Sequence, residues 1–94
     1  MNLNAFKQQC ERLLNEAEDD DERNAYREIL QHMEIQRIRE TSGLVLDLAY
    51  QAQEYDRRAA QVRQAAPISM IADTLETKAR IYRKAIQALG GIQL

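Results

Sequence analysis

Seven residues constrain this chain more than any others. Val45, Leu48, Ala52, Tyr55, Ala59, Val62 and Ala66 recur at alternating steps of three and four, which is a heptad seam. The stretch "GLVLDLAY" at 43–50 alternates briefly as a strand would, but the longer window fits only a helix. A long helix with one apolar seam must bury it against other helices, and the alanines in this seam admit a neighbour closely. Outside the seam, Glu54 and Arg58 have the spacing of a favourable pair. Three glycines, one proline, no tryptophan and a 5% aromatic share point the same way, because β-sandwiches and barrels need turn formers and β-formers that are scarce here. The expected fold class is all-α, a small antiparallel helical bundle of three to four helices. At 94 residues it is a single domain with a thin stability margin.

The remaining helices follow from punctuation and periodicity. Leu3, Phe6, Cys10, Leu13 and Ala17, with Leu14 beside them, form one helical face. Asn2 or Asn4 is placed to cap it, and Lys7 with Glu11 and Arg12 with Glu16 lie at i,i+4. "EAEDDDER" then ends one helix and caps the next, since carboxylates oppose a helix C-terminus and complement an N-terminus. It is not a calcium loop, lacking the spaced ligands and the glycine of an EF-hand. Tyr26, Ile29, Leu30 and Met33 continue as a stripe, whereas Ile35 and Ile38 fall on the opposite side of the same helix and would need a second neighbour. "ETSG" at 40–43 is a candidate break, with Gly43 at a helix end or Thr41 or Ser42 capping a new start. If the helix runs through Gly43, residues 21–66 are one element rather than two. Pro67 ends the seam helix, and Ile68, Ile71, Leu75, Ala79, Tyr82, Ile86 and Leu89 line the last one. Gly90 and Gly91 stop it, Ile92 is placed to fold back in a Schellman turn, and Arg83 and Lys84 favour the helix dipole. The expected helices span approximately 3–18, 21–41, 44–66 and 68–89.

The residues that carry chemistry are sparse. His32 has Glu28 one turn away but no second Glu-x-x-His, so a carboxylate-bridged metal centre is not indicated. Ser42 and Ser69 have no partnered base, and the chain has no glycine-rich phosphate loop and no Cys/His cluster. Cys10, the single cysteine, sits on an apolar stripe and reads as a buried thiol. No cofactor or metal is expected, and the chain reads as a non-enzyme. With no secretory signal and no apolar run long enough to span a membrane, a cytoplasmic setting is expected.

Charge is uneven. Ten acids oppose six bases up to residue 40, while seven bases oppose two acids from 57 onward, within an overall formal charge of -2. In the basic half, "IADTLETKARIYR" resembles a helix-turn-helix. The resemblance would make Ile71, Ala72 and Leu75 packing residues of a first helix and Thr77 the cap of a second anchored by Ile81. Lys78, Arg80, Arg83 and Lys84 would then reach phosphates or base edges of DNA. Glu76 stands where the turn glycine belongs, and the turn is a residue short. An unbroken helix explains every apolar position and adds a Glu76–Arg80 pair.

The expected function is therefore protein–protein interaction through apolar helix faces, in the manner of an adaptor, assembly chaperone or inhibitor, with self-association into a homodimer. Ile35, Ile38, Tyr50, Tyr55, Arg57 and Arg58 are the candidate contact residues, being surplus apolar groups or the types that anchor interfaces. A DNA-binding regulator using residues 68–89 is the alternative from a different class. A structural subunit of a larger assembly is a third.

Overall fold

The computed structural model describes residues 2–90, which form four helices: α1 (Leu3–Glu16), α2 (Asp20–Ile35), α3 (Thr41–Ala65) and α4 (Met70–Ala88). The chain is all-α, and the pairing across helices makes it an up-and-down bundle. His32 meets Asp47 and Glu28 meets Tyr55, so α2 and α3 run antiparallel; Asp56 meets Arg83 and Arg63 meets Asp73, so α3 and α4 do too. All four helices feed one core. Phe6, Ile29, Leu44, Leu48 and Ile81 are fully buried in it, and each such side chain contributes roughly 1.5–3 kcal/mol. The seam of α3 holds from Val45 through Ala59, all buried. Val62 is half-buried and Ala66 exposed, because the bundle tapers toward that end.

Capping sets the boundaries. Asn2 Oδ1 accepts the Ala5 N–H at 2.8 Å, Asp19 starts α2 by accepting from the Asp21 N–H at 3.3 Å, and Ser69 starts α4 by accepting from the Ala72 N–H at 3.3 Å. Arg23 reaches back from α2 to the Ala17 carbonyl at 2.9 Å, tying the end of α1 to the acidic run that follows. The i,i+4 pairs expected at Lys7–Glu11 and Arg12–Glu16 do not close among the described residues.

Residues 21–66 are two helices, and the break lies earlier than Gly43. The Arg37 N–H donates to the Glu34 carbonyl and the Ile38 N–H to the Met33 carbonyl, both at 3.3 Å, with Arg37 at φ 49°. This is a Schellman ending with arginine in the left-handed position, and Ile38 packs beside Met33 against the core. Ile35 and Ile38 therefore do not form a second stripe on one helix. Ile38 has left the helix and is half-buried, while Ile35, in the last turn, is exposed. Gly43, Thr41 and Ser42 all belong to the first turn of α3, which begins after Glu40 with no side-chain cap.

The last helix buries Ala72, Ala79, Ile81, Tyr82, Ala85 and Ile86, and its C-cap Leu89 is buried as well. Ile68 and Ile71, expected on that face, are exposed; the helix starts at Met70 rather than 68, so Ile68 lies before the Ser69 cap and outside it. The reason is length: Thr74 Oγ1 donates to Asp21 Oδ2 at 3.0 Å, so α2 begins level with Thr74 and nothing from it covers the residues before. Toward that end α3 and α4 still pack on each other, and the small residues Ala59 and Ala72 are buried. Gly90 has the left-handed φ of 102° expected of a helix stop, while Ile92 lies outside the described residues.

Candidate functional site

Of the helix pairs, α3 and α4 pack most extensively and α2 packs on both α1 and α4, but the backbones of α2 and α3 scarcely approach each other. A groove of about 510 Å³ opens between them. Glu28, Gln31, His32 and Ile35 form one wall, Asp47, Tyr50, Gln51 and Tyr55 the other, and Leu48 and Tyr82 also line it.

Its inner end is built around Glu28. Tyr55 and Tyr82 both donate to Glu28 Oε2, at 2.7 and 3.1 Å, and Lys78 Nζ donates to Oε1 at 2.7 Å. The two tyrosine rings meet edge to face with centroids 5.5 Å apart, and the Lys78 ammonium lies 5.6 Å from the Tyr55 ring centre. Burial pushes both tyrosine hydroxyls above their ordinary range, and the Glu28 charge pushes them further. Burial is the largest single influence on Lys78 and would lower it, but the bond to Glu28 and the charge of that carboxylate, with smaller contributions from Tyr55 and Asp21, together raise it above its ordinary value. This cluster joins three helices. At the outer end, His32 Nε2 and Asp47 Oδ2 stand 3.0 Å apart across the groove. No serine, cysteine or lysine lines the space beside that pair.

A second hollow, of about 620 Å³, lies on the other side of α3 between Leu46, Ala49, Tyr50, Gln53 and the α4 residues Arg83, Ile86 and Gln87. Tyr50, 66% exposed, is the ridge dividing the two. The third feature is the α3–α4 hairpin tip, where Ile68 is 98% and Met70 85% exposed, with Ile71 close behind. From 59 to 72 the only charged side chain is Arg63, which binds the Pro67 carbonyl at 2.7 Å, Asp73 at 2.7 Å and Glu76.

The expected contact residues divide accordingly. Ile35, Tyr50, Arg57 and Arg58 are exposed, Ile38 is half-buried, and Tyr55 is buried and committed to Glu28. Arg57 pairs with Glu54 at 2.8 Å, displacing the expected Glu54–Arg58 pair. The helix-turn-helix does not form, because α4 runs unbroken from Met70 to Ala88 through Glu76 and Thr77. Three of its four cations are spent inside the bundle: Lys78 on Glu28, Arg80 on Glu22 at 2.8 Å rather than on Glu76, and Arg83 on Asp56. Lys84 alone has no ion pair among the described residues. Asp47, Leu46 and Met70 were not singled out in the sequence. They sit beside a strong seam or within a plausible stripe, and periodicity gives no sign that neighbours stop short of them.

Protein-family models, curated proteins and solved structures were compared with the chain, and none matches.

Proposed function

We propose that this protein is a non-enzymatic interaction module that docks onto other protein surfaces through exposed apolar side chains, including those of a second copy of itself. One observation carries the reading. Ile35, Leu46 and Tyr50 flank the two hollows along α3, and Ile68, Met70 and Ile71 crown the hairpin tip, so among the described residues the large exposed apolar groups are gathered in two places rather than scattered. The tip is an apolar knob held in a fixed shape by Arg63, and a chain with 30% charged residues leaves it almost free of charge. The tyrosines beside Glu28 support a structural rather than acid–base role, since their environment disfavours ionisation.

Sedimentation velocity over a wide concentration range, with crosslinking and mass spectrometry in the native cell, tests this. The expected result is association or a crosslinked protein partner involving the tip or the α3 ridge, abolished by Ile68→Ser with Met70→Ser and Ile71→Ser where the tip is the contact, and by Leu46→Ser with Tyr50→Ser where the ridge is. A monomer at every concentration, with no crosslink to those residues, would overturn it.

A further inference from the structure

We infer that the groove between α2 and α3 seats a helix of a protein partner that presents an arginine one turn from an apolar residue. This rests on the interaction reading above and specifies the partner's chemistry. Ten side chains line the groove; two are carboxylates, three are tyrosines, and none is lysine or arginine although the chain has 13 of them. Lys78 balances Glu28 at the inner end, leaving the Asp47 carboxylate as the charge at the mouth. The Asp47 side chain is half exposed, its Oδ2 faces His32 and its Oδ1 accepts no hydrogen bond among the described residues. Beside it stands the exposed ring of Tyr50, and across from that ring the 74% exposed Ile35, with Leu48 between the walls.

A guanidinium fits this mouth better than an ammonium does. It can bond the free carboxylate oxygen while stacking on the tyrosine ring, and it sheds water more readily. The exposed side chains of Ile35 and Tyr50, above the buried Leu48 at the groove floor, take a leucine-sized group one helical turn away, as in other helix-in-groove recognition. A helix suits the walls, which are antiparallel helices that part from each other. The negative mouth disfavours nucleic acid and anionic lipid as occupants.

The test uses the ¹⁵N-labelled full chain and two designed helical peptides, one with Leu and Arg at i and i+4, the other with Glu in place of Arg. Saturable shifts at Ile35, Asp47, Tyr50 and Gln51 with the Arg peptide, and binding about tenfold weaker with the Glu peptide, are expected. Asp47→Asn and Tyr50→Ala should each weaken the Arg peptide by about fivefold or more with the rest of the spectrum unchanged. Equal affinity for both peptides, no binding, or shifts that map to the hairpin tip would overturn the inference. So would concentration-dependent shifts at Ile35 and Tyr50 without peptide, since the occupant would then be a second copy. Association through the tip, measured separately, would survive each of these outcomes and keep the broader reading standing.

Discussion

Arg37 holds the left-handed conformation that ends α2, a position where a β-carbon crowds the backbone and glycine normally sits. Replacing it should relieve that cost. Arg37→Gly is expected to stabilise the fold by about 0.5–1 kcal/mol, measured as a higher urea midpoint with unchanged slope. Glu28 is the opposite case, a single carboxylate answering three donors from α3 and α4. Removing it strands two tyrosine hydroxyls and an ammonium in a partly buried place. Glu28→Ala should cost about 2–3 kcal/mol, and Glu28→Gln less, because an amide oxygen still accepts. Urea denaturation of both variants checks the order as well as the size.

At the scale of the element, the helix ends decide more than the helix middles. Gly43 lies in the first turn of α3, has no positive φ, and a β-carbon added there would meet nothing within 4 Å. Gly43→Ala should therefore stabilise by about 0.5–1 kcal/mol, mostly by restricting the unfolded chain, and thermal unfolding would show it. The break was hard to place from sequence because the residues are distributed against habit: glycine stands where a helix runs, arginine where the chain turns left-handed. The α3 seam, the acidic cap of α2 and the continuity of α4 past Glu76 were all legible. Each rests on local spacing or on the helix dipole, which need no knowledge of neighbours.

For the whole molecule, part of the uneven charge of the sequence is matched within it. Acids of α2 receive cations of α4 through Glu22–Arg80 and Glu28–Lys78, and Asp56 of α3 receives Arg83. Burial makes the fold sensitive to alkali. Cys10 is pushed from 9.0 to about 12 by burial first and Glu11 second, and burial likewise raises Tyr26, Tyr55 and Tyr82. Above pH 9 the unfolded chain releases protons that the folded one keeps, so stability is full below that point and falls as pH rises. The loss per group is at most about 1.4 kcal/mol per pH step. Urea midpoints at pH 8 and pH 10.5 should differ accordingly, and Cys10→Ala should flatten the early part of the decline.

Periodicity, composition and end signals determined that this chain is an antiparallel bundle of three or four amphipathic helices, because those properties belong to single helices and short connectors; that residues 21–66 divide into two was shown only by the structure. Which apolar residues remain in water was decided only by tertiary packing. Ile71 fits the stripe of α4, Ile68 continues its spacing but lies before the helix begins, and Ile35 fits nothing on α2. Their exposure depends on where α2 begins and how far α2 stands from α3, distances that arise when four rods of unequal length settle around one core. The same holds for the cations: spacing marks them as a row on one helix, and only the assembled bundle brings Lys78, Arg80 and Arg83 opposite the carboxylates that bind them.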